Sequence, residues 1–133
     1  MILARQAASK KPPLQPSKPT APSRQTEAEI QAAIESYLRG LGHTCWWTRS
    51  RMDIASSATR AGVPDFVGVY RGTAFAMEVK KPGGKETREQ GGELLWFGLA
   101  GGRPAIVHSL GEAVNHMTAV AVSVPVAGRE WIA

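Results

Sequence analysis

Two acids and a lysine stand in a stretch otherwise built for a hairpin. From Gly62 to Lys81 the chain reads GVPDFVGVYRGTAFAMEVKK, and Asp65, Glu78 and Lys80 interrupt a run rich in Val, Phe, Tyr and Met. The segments PDFVGVY and TAFAMEVKK are strand-like, and Arg71 and Gly72 between them are enough for a two-residue antiparallel turn. With that turn, Tyr70 faces Thr73, Gly68 faces Phe75 and Asp65 faces Glu78. Directly opposed side chains have Cβ atoms about 4.5–5.5 Å apart, and like charges there repel. A divalent cation offsets the repulsion, because hard ions such as Mg²⁺ take one or two carboxylates together with water and phosphate oxygens. Lys80 shares the face of Glu78 by strand period, where its ammonium can reach a phosphate or an attacking water. Exposed strands often carry Glu-Val-Lys alone; the aligned Asp after Gly-Val-Pro makes the set specific.

The elements that must position these residues follow from periodicity. TEAEIQAAIESYLRGLG places Ile30, Ile34, Tyr37, Leu38 and Leu41 at helical spacing, opens on a Thr26–Glu29 capping box and is ended by Gly40 or Gly42. HTCWWTRS is a first strand with His43, Cys45 and Trp47 on one face, and RMDIASSATRAG is a loop carrying Arg51 and Arg60. After the hairpin, PGGK breaks the chain, and Thr87 with Gln90 opens a helix holding Leu94, Leu95, Phe97 and Leu99 and closed by Gly101 and Gly102. RPAIVHS is a short buried strand, and Ser109 with Glu112 caps a last helix. The order α-β-β-β-α-β-α predicts a small α/β domain with a central mixed sheet. The Trp46–Trp47 pair is expected in the core, and His43, His108 and His116, which lack metal-ligand spacing, are expected to be structural.

Taken together, Gly62-Val63-Pro64-Asp65, Glu78-Val79-Lys80 and Gln90 opening a helix resemble the VRR-NUC nucleases, a branch of the PD-(D/E)XK superfamily with a restriction-endonuclease-like fold. The resemblance covers Thr26 to about Val120. It implies that Asp65 and Glu78 hold Mg²⁺, or Mn²⁺, together with the Val79 carbonyl, that Lys80 assists the attacking water, and that Gln90 belongs to the site. It also implies a glutamate from the first helix that completes the metal site, and TEAEIQ offers two. Glu29 is accounted for by the capping box; Glu27, three and seven residues before Ile30 and Ile34, shares their inward stripe and fits the family's spacing. Gln90 likewise has two readings, as a site residue and as the third residue of its own cap.

Charge is unevenly distributed. The formal net charge is +5, and residues 1–25 hold Arg5, Lys10, Lys11, Lys18 and Arg24, no acid, and five of the nine prolines. This composition predicts a disordered basic arm that adds salt-sensitive attraction to a polyanion. Residues 26–120 form the expected nuclease domain and 121–133 a C-terminal edge strand or tail. Arg49, Arg51, Arg60, Lys81 and Lys85 are the candidate DNA contacts within the domain. The single cysteine, Cys45, excludes an internal disulfide framework and a thiolate zinc cluster. No apolar run reaches membrane-span length and the N-terminus lacks a signal-peptide core, so a cytoplasmic protein with no membrane and no small-molecule cofactor is expected.

The function these features predict is Mg²⁺-dependent endonucleolytic hydrolysis of DNA, with a 5′-phosphate and 3′-hydroxyl product implied by the resemblance. Short loops and no base-reading helix favour recognition of shape, hence branched DNA in the manner of a Holliday-junction resolvase, with a homodimer presenting two sites. A non-catalytic nucleic-acid-binding module on the same fold is the alternative, but opposed carboxylates would repel the ligand of a pure phosphate binder.

Overall fold

The computed structural model describes residues 25–50 and 60–123. The basic arm up to Arg24, Arg51 in its loop and the C-terminal segment from residue 124 lie outside the described residues. The chain runs α1 (Glu27–Gly40), a 3₁₀ turn (Gly42–Thr44), β1 (Cys45–Arg49), β2 (Phe66–Tyr70), β3 (Thr73–Val79), α2 (Arg88–Leu99), β4 (Arg103–Val107) and α3 (Leu110–Ala121). The strands form one sheet in the order β1-β2-β3-β4, antiparallel except for the parallel β3–β4 pair. This is the mixed-sheet α/β fold that the sequence predicts.

The β2–β3 hairpin has the register expected from its two-residue turn. Tyr70 pairs with Thr73, Gly68 with Phe75 and Phe66 with Met77. Both turn residues adopt positive φ, 49° at Arg71 and 86° at Gly72, the primed turn whose twist matches that of the flanking strands. An α-helix then carries the chain from β3 to β4, as a parallel crossover requires.

Strand alternation divides the sheet into two unlike faces. Cys45, Phe66, Tyr70, Phe75, Met77, Val79 and Val107 are buried on one face against Ile30, Ile34 and Leu38 of α1 and Ala113, Met117 and Val120 of α3. That is the core. The other face carries Asp65, Val67, Ala76, Glu78 and Ile106, and α2 crosses it above β3 and β4. The outer halves of β1 and β2 are left open there, with Trp46 66% exposed.

Four local expectations are corrected. His43 belongs to the 3₁₀ turn and is exposed, because the strand begins at Cys45. Trp47 packs against the core as expected, whereas Trp46 points to the uncovered face. β4 is an edge strand, half-buried except at Val107, and tolerates Pro104 for that reason. Along α2 only Leu94 is buried, while Leu95, Trp96 and Leu99 stand outward. No helix among the described residues is long and apolar enough to cross a membrane.

Candidate active site

Asp65 comes one residue before β2, where the ladder to β3 ends at Phe66–Met77. Its backbone carbonyl accepts from Ser50 N at 2.8 Å, so the chain stays fastened to β1. Across the hairpin the side chain takes over from the backbone: Val79 N donates to Asp65 Oδ2 at 2.8 Å. This fixes the half-buried carboxylate beside Glu78, the neighbour that the register predicts.

Glu78 is the one buried acid among the described residues, only 3% exposed. Its Oε1 accepts from Gln90 Nε2 at 2.8 Å, and its Oε2 is buried with no hydrogen-bond partner. Burial pushes its carboxyl up to about 8, assisted by the negative charge of the neighbouring Asp65 carboxylate. Lys80 pulls in the opposite direction, and Glu27 adds a further upward push. An orphaned buried carboxylate oxygen next to a second carboxylate is costly unless a proton or a cation joins them.

Gln90 both caps its own helix and bonds Glu78. Its Oε1 accepts from Thr87 N at 2.8 Å and its backbone N donates to Thr87 Oγ1 at 3.2 Å, a complete capping box. With the amide oxygen committed to the cap, the amide nitrogen is the end presented to Glu78. The helix cap thus orients the Gln90 amide towards Glu78. Gly62 locks the arrangement from the other side: it has φ of +86°, and a Cβ there would lie 2.6 Å from the Glu89 carbonyl carbon and oxygen. The Gly-Val-Pro-Asp loop therefore lies directly on the first turn of α2.

At the start of α1, Glu27 is half-buried and Glu29 exposed. Thr26 Oγ1 accepts from Glu29 N at 3.1 Å, so the N-cap is made, although only in this one direction. Glu27 is the acid whose charge reaches Glu78. It does not complete a three-ligand cage: no group of three His, Cys, Asp or Glu able to hold a metal occurs among the described residues. The two carboxylates offer hard oxygen atoms, the ligand type that Mg²⁺ takes.

The expected DNA contacts divide into two groups. Lys81 and Lys85 are exposed, have no ion-pair partner among the described residues, and follow directly from the Lys80 strand end. Arg49 and Arg60 are engaged within the fold. Arg49 donates to Glu35 at 2.9 Å and to Gln31 at 2.8 Å, bracing α1 against β1, a positioning task that the strand pattern does not reveal. Arg60 forms a two-pronged pair with Glu93 at 2.7 and 2.9 Å, its guanidinium 5.9 Å from the ring centre of Trp96. Sequence reading passes over Glu93 and Trp96, although their spacing from Gln90 along α2 was available to show that flank. His108 and His116 make bonds within the fold, His116 Nε2 on Arg103 O and His108 between Gly84 O and Glu112.

A comparison with protein-family models finds no match, and neither does a search of curated proteins. Two solved structures share the fold. One, named a VRR_NUC domain, is 21% identical with a TM-score of 0.56 over 71% of this chain and 97% of its own. The other, a VRR_NUC domain protein, is 15% identical with a TM-score of 0.59 over 76% of this chain and 98% of its own. The chain has the VRR_NUC fold, as the motif spacing implies.

Proposed function

We propose, on the premise of that fold and of the acid pair built into it, that the protein is a Mg²⁺-dependent endonuclease hydrolysing DNA phosphodiester bonds. The observation that carries the reading is the buried, unpartnered Oε2 of Glu78 beside Asp65, with Gln90 bonded to the other oxygen. A fold gains no stability from such an oxygen, so its retention points to a ligand.

Asp65 and Glu78, with the Val79 carbonyl, are the proposed cation ligands. The cation, when bound, supplies Lewis-acid polarisation of the phosphate and acidifies water. Gln90 keeps Glu78 Oε1 occupied by a neutral donor and so leaves Oε2 for the ligand. Lys80 orients the attacking water and stabilises charge developing on the phosphate oxygens. Glu27 adds negative charge that strengthens cation binding. Lys81 and Lys85 draw in the flanking backbone; attack of water on phosphorus breaks the P–O3′ bond, leaving a 5′-phosphate and, once solvent protonates the departing oxygen, a 3′-hydroxyl.

Branched DNA is the preferred substrate in this reading, and a homodimer presents two sites for two strands. The outward Leu95 and Leu99, 65% and 78% exposed on the β4 flank of α2, support contact with a second copy. The test is cleavage of supercoiled, linear and four-way-junction DNA with Mg²⁺ or chelator, alongside light scattering. Mg²⁺-dependent cutting that Asp65→Ala removes is the expected result; cutting that persists in chelator defeats the reading.

A further inference from the structure

We propose that the cleft between α2 and β2 is a pocket for an unpaired nucleobase next to the scissile phosphate. The inference deepens the nuclease reading and rests on it. The cleft encloses about 280 Å³. Pro64, Val67 and Phe97 contribute its apolar lining, Trp96 a broad aromatic wall, and Arg60 with Glu93 a polar rim.

Its position ties it to the chemistry. Pro64 adjoins Asp65, and Val67 is two residues further along the same face of β2, about 6–7 Å away. Glu93 follows Gln90 by three residues, about 4.5 Å along α2. Acid pair and cleft therefore share both walls, and a strand whose phosphate sits at Asp65 and Glu78 brings a neighbouring base to the cleft.

The chemistry of the lining selects the occupant. Trp96 is 65% exposed, and the core anchor of α2 is Leu94, so packing does not account for a large aromatic ring here. A nucleobase offers a flat π face and polar edges, which match an aromatic wall and a polar rim. A phosphate does not match. The Arg60 charge is already offset by the two-pronged pair with Glu93, and the Glu93 carboxylate repels an anion at the mouth. What remains of Arg60 is a planar guanidinium over the Trp96 ring, suited to bond the edge of a base. In a duplex both faces of a base are covered by its neighbours and extruding it costs a few kcal/mol, so an unpaired nucleotide enters in preference. Flaps, gaps, loops and branch points supply one, which gives the protein structure selectivity without a base-reading helix.

The test has two arms. Cleavage in Mg²⁺ is measured on duplexes carrying an unpaired nucleotide near the cut, on the same duplexes with that nucleotide abasic, and on fully paired duplex. Wild type should lose about tenfold in kcat/KM at one abasic position, in line with the usual worth of one base–aromatic stack. Trp96→Ala should lower the preference for unpaired over paired substrate about tenfold and abolish the abasic effect, while Trp96→Phe retains both. The second arm measures metal-free binding of a short single strand, with and without one abasic position, to wild type and Trp96→Ala, with thermal melting as the folding control. Abasic-sensitive binding that Trp96→Ala removes supports the pocket. Abasic-insensitive binding by wild type overturns it, as does an unchanged preference in Trp96→Ala, or a variant that loses only its dimeric mass. Absence of any wild-type cleavage would defeat the nuclease reading, and the binding arm would still decide the pocket.

Discussion

Under α1 and α3, the sheet buries Phe66, Phe75, Met77, Val79 and Val107 to 1% exposure or less, in one apolar cluster. On the opposite face of the sheet, β3 buries an acid under α2 with one of its oxygens unpartnered, while Trp46 of the uncovered β1 and Trp96 of α2 itself stand exposed. A β-strand alternates its side chains, so β3 serves both faces at once: Met77 and Val79 hold the fold while Glu78 between them carries the site. The rigidity of one face is what holds the other in a conformation that costs energy.

The largest expected effect tests that opposition directly. Glu78→Gln should reduce Mg²⁺-dependent cleavage about a thousandfold or more, the equivalent of several kcal/mol of lost charge stabilisation. The same change should make the metal-free protein more stable at alkaline pH. The folded-state value of Glu78 is raised from 4.5 to about 8, so the native state holds a proton that the unfolded chain releases. The contribution of Glu78 to wild-type stability is therefore full below about pH 4.5 and is lost as pH rises through about 8, by a few kcal/mol. The amide of the Glu78→Gln variant cannot titrate, which removes that decline. Melting curves across this pH range check the prediction, and a steeper alkaline decline in Glu78→Gln would break it.

The second test exchanges one aromatic residue on each face. Phe75→Ala removes a fully buried ring and should cost about 3–5 kcal/mol. Trp96→Ala removes a larger but exposed side chain and should cost under about 1 kcal/mol. Denaturant unfolding measures both, and a large loss in Trp96→Ala would show that the open face is packed after all.

Legibility in the sequence followed the same division. Thr26, Thr87 and Ser109 each cap the helix predicted from them, because a cap is decided within four residues. The hairpin register and the Asp65–Glu78 juxtaposition were readable because a two-residue turn leaves one pairing. Partners set by the crossing of distant elements were not. Arg49 meeting Glu35 and Arg60 meeting Glu93 depend on how α1 and α2 lie on the sheet. The exposure of Leu95 and Leu99 was hidden for the same reason: α2 has an apolar composition, and only its placement over β3 and β4 shows which residues it leaves in solvent.

A third, smaller effect concerns the seam between the loop and α2. Gly62→Ala places a Cβ 2.6 Å from backbone atoms of Glu89 at a φ that L-residues avoid, so the loop must withdraw. A cost of about 1–3 kcal/mol is expected. Cleavage should fall as well, because Asp65 and Gln90 move apart. Loss of stability with full activity would show that the site does not depend on this contact.

The smallest effects separate two kinds of cation. Arg49→Ala removes two bonds to α1, one to Glu35 and one to Gln31, from a partly buried guanidinium. It should lower stability by about 1 kcal/mol. Because that charge is already paired, the dependence of DNA affinity on salt should stay as in wild type. Lys81→Ala and Lys85→Ala remove exposed charges with no ion-pair partner among the described residues. Each should leave the melting temperature nearly unchanged and reduce the slope of log affinity against log salt by about 1, the signature of one lost phosphate contact. Binding titrations at several salt concentrations, with Asp65→Ala as the cleavage-silent background, read all three variants. A reduced slope in Arg49→Ala would return that residue to the DNA interface, and an unchanged slope in both lysine variants would move the path of the backbone away from the end of β3.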